Sequence, residues 1–166
     1  MKMELIQPFV NAMDAVLAET LQSSPKIVDL TMEEEGYRRK GLAALIQIRG
    51  EIEGRIILDM EGRTAAQVAS ILSGSEVEES EDIVRETVCE LANMVIGNAV
   101  TLLNDRGFRF KVFPPEVHQL EQCEKAGQDS EALILCFETE GGNVYMNIAM
   151  RYLKRRSRER ATVPAA

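Results

Sequence analysis

Between Ser80 and Asn104 apolar residues recur at Val84, Val88, Leu91, Ala92, Val95, Ala99, Leu102 and Leu103. Spacing of three and four, held over so long a run, is the pattern of one long α-helix with a single buried face. At about 100° per residue, Glu86, Glu90, Asn93, Gly97, Thr101 and Asn104 fall on the opposite face. Water would account for the glutamates, which are good helix formers. It does not account for Asn93, whose amide competes for backbone partners, or for Gly97, which costs about 1 kcal/mol against Ala inside a helix. Two poor helix formers one turn apart, beside Glu90, point to a surface kept for contact.

The flanking chain reads as elements that cover the other side of this helix. Residues 2–22 carry a wide apolar stripe (Leu5, Ile6, Phe9, Val10, Met13, Val16, Leu17, Leu21), ended by Ser23-Ser24-Pro25, and predict a helix. Lys26–Glu35 alternates with period two. Leu42–Arg49 and Ile52–Met60 are apolar runs joined at Gly50-Glu51 like a hairpin. Three antiparallel strands in a row follow, with Gly54 marking a bulge or a close backbone approach. Thr64–Leu72 predicts a short helix with Thr64 as its cap. After the long helix, Phe108–Phe113 reads as a strand stopped by Pro114-Pro115, and 116–123 as a short strand or loop. Ala132–Glu138 and Val144–Tyr152 read as a hairpin turning at Gly141-Gly142 or Gly142-Asn143. The order is α+β: one antiparallel sheet covered by helices.

Composition narrows the function. One hundred and sixty-six residues, 45% hydrophobic, suit one domain with a real core. No apolar run approaches the ~18 residues of a membrane span, and no secretory leader pattern opens the chain, so a cytoplasmic protein without membrane insertion is expected. The net charge is −8. Basic residues crowd between Arg151 and Arg160, which leaves the body before them more acidic still and argues against nucleic acid. Cys89, Cys123 and Cys136 match no zinc spacing, and His118 is the only histidine, so no metal site of the chain's own is expected. The acidic run Glu76, Glu78, Glu79, Glu81 and Asp82 lacks the spacing and glycine of a calcium loop and reads as a solvated linker or helix start. The basic stretch 153–166 has too little apolar surface to pack and is expected to be disordered.

Glu90-Leu91-Ala92-Asn93-Met94, followed by Gly97-Asn98-Ala99, resembles the signature helix of the CheX/CheC/FliY chemotaxis phosphatases, and most of all the CheX type. That pattern runs Asp or Ser, three residues, Glu, two residues, Asn, then Pro a little over twenty residues on. Glu90 and Asn93 match the central pair. Glu86 stands where the pattern has Asp or Ser, and of Pro114 and Pro115 the nearer match is one residue short. The resemblance implies a CheC-like α+β fold over 1–152 and a homodimer. It further implies phosphatase activity toward the aspartyl phosphate of a CheY-like receiver. In that reading Asn93 orients the attacking water and Glu90 docks on the receiver's lysine. Gly97, Met94 and Glu86 are the further partner-binding residues. No cofactor of the chain's own is implied, since the receiver brings its divalent metal, Mg. The alternative is a catalytically silent CheX-like module that binds a receiver or a flagellar-switch partner.

Overall fold

The computed structural model describes residues 3–33, 37–118, 123–124 and 132–152. The tail expected at 153–166, the strand end at Glu34-Glu35 and residues 119–122 lie outside the described residues. Three helices are present, α1 (Met3–Leu21), α2 (Gly62–Ser73) and α3 (Asp82–Asp105). The strands are β1 (Lys26–Glu33), β2 (Tyr37–Arg38), β3 (Leu42–Gly50), β4 (Ile52–Met60), β5 (Phe110–Val112), β6 (Glu116–His118), β7 (Cys123–Glu124), β8 (Ala132–Thr139) and β9 (Gly142–Tyr152).

The main sheet is antiparallel, in the order β1-β8-β9-β4-β3-β5, with β6 also on β3; β2 and β7 pair separately. The strands near the N-terminus are therefore not three in a row. The tight join at Gly50–Ile52 forces β3 onto β4, from Leu42↔Met60 to Ile48↔Gly54. β1 has no such leash and pairs instead with β8 at the far edge. Alternation defines a strand but not its neighbour, because backbone ladders are alike and only packing chooses among them. The β8–β9 turn also differs from expectation. Thr139 pairs with Gly142, so the turn is Glu140-Gly141, one residue earlier than the glycine pair suggests.

The outer edge of β3 is covered twice, by β5 opposite Ile48–Gly50 and by β6 opposite Ala43–Leu45. The Phe113 N–H still donates to the Gln47 carbonyl at 2.9 Å. Pro114 and Pro115 then interrupt the ladder, since neither has an N–H to give.

One face of the sheet packs against the helices. Ala44, Ile46, Ile56, Leu58, Leu135 and Met146 meet Phe9 and Met13 of α1 and Leu91, Val95 and Ile96 of α3 in one buried cluster. Each fully buried side chain of this size contributes about 1.5–3 kcal/mol. The void beneath α3, between Ala92, Val95, Ile96 and the sheet, is only about 10 Å³. α3 is therefore seated on a close-packed bed rather than a yielding one.

Pro8 helps to tie α1 to α3. Lacking an N–H, it cannot bond the carbonyl four residues back, that of Glu4. The Arg106 guanidinium at the end of α3 donates to that carbonyl at 2.8 Å. A helix defect in one element is thus satisfied by the terminus of the next. On the other face of the sheet, both Asp59 carboxylate oxygens accept backbone N–H groups, from Lys40 at 2.6 Å and Gly41 at 3.3 Å. The Arg55 guanidinium donates to the Asn147 amide oxygen at 3.1 Å.

Candidate functional site on the outer face of α3

Val84, Val88, Leu91, Ala92, Val95, Ala99 and Leu103 are buried, as their spacing predicts. Two buried members of the helix, Thr87 and Ile96, were missing from the apolar stripe, and Leu102, expected inside, is 39% exposed. The buried arc is shifted because α3 packs sideways against α1 and α2 as well as down onto the sheet. Thr87 fits there because its hydroxyl donates to the Ile83 carbonyl at 2.7 Å, which removes the cost of burying it.

The opposite face holds the sequence-predicted residues together. Glu86, Glu90, Asn93 and Gly97 are all exposed, and steps of three and four place them along one side of the helix. Among the described residues, Glu86, Glu90 and Asn93 have no hydrogen-bond or ion-pair partner. Their polar groups are unspent, which is the condition for engaging another molecule. Met94 is half-buried and packs against the core cluster, so only part of it can serve as a rim. Ile83, on the same flank, is 37% exposed.

Gly97 is unlike a packing glycine. A Cβ placed there would meet nothing within 4 Å. No part of the described chain uses the room it leaves. The carbonyl of Gly97 accepts the Thr101 hydroxyl at 3.1 Å, so the helix stays closed at the glycine.

Pro114 is exposed and Pro115 half-buried, at the point where the partner of β3 changes from β5 to β6. The acidic run before α3 folds on itself: the Glu78 N–H donates to the Glu81 carboxylate at 2.6 Å. Among the described residues no group of three or more His, Cys, Asp or Glu converges as a cation site. Cys89 is half-buried and Cys136 buried, both as free thiols. No helix among the described residues is long and apolar enough to cross a membrane.

The family model described as chemotaxis phosphatase CheX matches residues 42–138, which takes in all of α3. Among solved structures, the crystal structure of the CheX–CheY–BeF3–Mg2+ complex from Borrelia burgdorferi contains a chain 32% identical to this one. That match covers 88% of this chain and 97% of the other, with a TM-score of 0.63. A CheC-like superfamily protein from a Shewanella species is 23% identical over 91% of this chain and 99% of its own, with a TM-score of 0.80. A chemotaxis protein CheX from Desulfovibrio desulfuricans is 20% identical over 89% and 99%, at 0.77; at these identities the likeness is one of fold. The curated proteins contain no match.

Proposed function

This chain belongs to the CheX chemotaxis phosphatase family, and we propose that it accelerates hydrolysis of the aspartyl phosphate on a CheY-like receiver domain. The observation that carries the proposal is the pair Glu90 and Asn93, one turn apart, exposed and without partners among the described residues, on a helix backed by a close-packed core. The solved complex of a 32%-identical relative, with CheY, BeF3 and Mg2+, supports the receiver as partner. BeF3 has the shape and charge of a phosphoryl group.

In the reaction, a water oxygen bonds to phosphorus in line with the departing acyl oxygen. The P–O bond to the receiver's aspartate breaks, its electron pair stays on the carboxylate, and inorganic phosphate leaves with the water's oxygen. The receiver's own divalent metal offsets charge on the phosphoryl oxygens. What a second protein has to add is a water held at the attack angle. The Asn93 carboxamide does this by hydrogen bonding, without adding charge; an Asp there would repel the phosphoryl group. Glu90 docks on the receiver's lysine, which places Asn93 at the phosphate. Glu86 extends the acidic side of the contact, Ile83 and the exposed part of Met94 form its apolar rim, and Gly97 admits the receiver's surface close to the helix backbone. The site of action is the cytoplasm.

A phosphate-release assay with a phosphorylated cognate receiver tests the activity. Docking without faster release would support the catalytically silent module instead, a reading favoured by Glu86 standing in place of Asp or Ser. Two variants test the docking. Glu90→Lys weakens receiver affinity at least about tenfold, because it opposes like charges. Gly97→Ala raises stability by up to about 1 kcal/mol of helix propensity, read as a higher melting temperature, yet weakens receiver binding. Unchanged affinity in both, measured by calorimetry, would remove this face as the interface.

The homodimer proposal has a surface of its own. β1 is one edge strand of the sheet, and among the described residues nothing pairs with its outer side. Its Ile27, Leu30 and Met32 pair with Phe137, Leu135 and Leu133 and so share the apolar face of the sheet. Yet they are 46%, 56% and 50% exposed. An apolar edge strand of this kind is a template for pairing, and a second copy would satisfy both its backbone and its side chains. Leu30→Asp is expected to leave the fold intact and shift the molecular mass in sedimentation equilibrium to that of a monomer; an unchanged dimer would place the interface elsewhere.

A further inference from the structure

Away from the α3 stripe, the first turns of α2 and the start of β9 enclose a cleft of about 410 Å³. Arg63, Thr64 and Gln67 line its helix side, and Gly142, Asn143 and Tyr145 its strand side. Thr64 is not the cap that its sequence position suggested. The N-cap is Glu61, extended and making no side-chain cap bond, and the first helical bond runs from the Ala65 N–H to the Glu61 carbonyl. The N–H groups of Gly62, Arg63 and Thr64 consequently have no helical acceptor. Among the described residues they have no other.

The Thr64 side chain carries the argument further. Thr64 is 8% exposed, yet among the described residues its hydroxyl has no hydrogen-bond partner. Thr87 and Thr101, inside α3, donate to the carbonyl four residues back; Thr64 sits in the first turn of α2, where the residue four back, Met60, belongs to β4, so its hydroxyl has no helical carbonyl to use. A Cβ at Gly142 (φ +125°) would stand 2.5 Å from that hydroxyl oxygen. The bare backbone of Gly142 therefore leaves the hydroxyl uncovered, facing the cleft. The Arg63 guanidinium also has no partner among the described residues. Tyr145, with the Lys40 ammonium 5.0 Å from its ring, has its hydroxyl pushed above the ordinary tyrosine range by burial and stays protonated. Donors thus crowd one side of the cleft, at the positive end of a helix. Among the described residues Glu61 is the one carboxylate in the lining. Glu79 approaches Gly62 from outside, its Oε2 3.0 Å from where a Cβ would be, and bonds none of these N–H groups.

We propose that this cleft is a phosphoryl-binding site, taking free phosphate or a small phosphate monoester. The oxyanion accepts from the N–H groups of Arg63 and Thr64, the Thr64 hydroxyl and the Arg63 guanidinium, and an ester's organic body lies toward Asn143 and Tyr145. The site is independent of Asn93 and of the receiver.

The test is a titration of the isotope-labelled full chain, followed by amide NMR, with phenyl phosphate, inorganic phosphate and phenol. Phenyl phosphate is expected to shift the amides of Gly62, Arg63 and Thr64, and phenol to leave them in place. Arg63→Gln and Thr64→Val each weaken that response roughly tenfold, one charged hydrogen bond's worth. Tighter binding of the ester than of the ion identifies an ester as the occupant, and equal binding identifies the ion; both uphold the site. No shift at these amides, or shifts that survive both substitutions, overturns it.

Discussion

Asn93→Ala removes the acceleration of receiver dephosphorylation, by on the order of 100-fold, the usual loss when one preorganised polar group is deleted from a reacting centre. The fold does not change, because Asn93 is exposed and has no partner among the described residues; Ala is also the better helix former. Binding to the phosphorylated receiver stays near wild type, since Glu90 and the rest of the stripe remain. The combination separates this residue from a docking residue, whose loss would raise the receiver concentration needed and leave the saturated rate alone. Single-turnover decay of receiver phosphate at saturating enzyme is the measurement. A wild-type rate in the variant would end the water-positioning account of Asn93.

Gly54→Ala destabilises the protein by about 4 kcal/mol, near the top of what single substitutions do. Gly54 lies in β4 between β3 and β9, paired with Ile48 and Met150. A Cβ there would stand 1.8 Å from the Ala149 carbonyl oxygen and 2.8 Å from the Met150 Cα, at a φ of +155°. Both neighbours are sheet backbone, which cannot swing away as a side chain end can. Loss of this register would also loosen the bed on which α3 rests. Urea unfolding gives the number directly; a change under about 1 kcal/mol would mean that the strands move apart easily and that the sheet is softer than its packing indicates.

Much of this molecule was legible beforehand, and the reasons are local. The α3 pattern placed Val88, Leu91 and Val95 inside and Glu90, Asn93 and Gly97 outside because helix geometry converts spacing into direction without reference to any neighbour. Gly54 within an apolar strand points to a bulge or a close backbone approach, and the structure holds the close approach, with the register running through it unbroken. Local rules also misplaced some details. Leu102 was counted as core, yet it faces out, because burial depends on where α1 and α2 lean. Thr64 looked like a cap, since threonine before an apolar run usually is one, but the cap is Glu61, three residues earlier, and the helix takes the threonine inside.

By itself, then, the amino-acid sequence determined the elements, the two-sided character of α3, the residues on its exposed face and, through Glu90, Asn93 and Gly97, the family. Each of these depends on chain geometry within a few residues. Only the tertiary structure decided that β1 joins β8 rather than β3 and leaves Ile27, Leu30 and Met32 exposed at the sheet's edge. It also decided that no described atom closes over Gly97, and that Arg63 and Thr64 meet Gly142, far along the chain, around one cleft. Those outcomes are set by which surfaces find each other when the core closes, and side-chain packing across the sheet makes that choice where backbone pairing is indifferent.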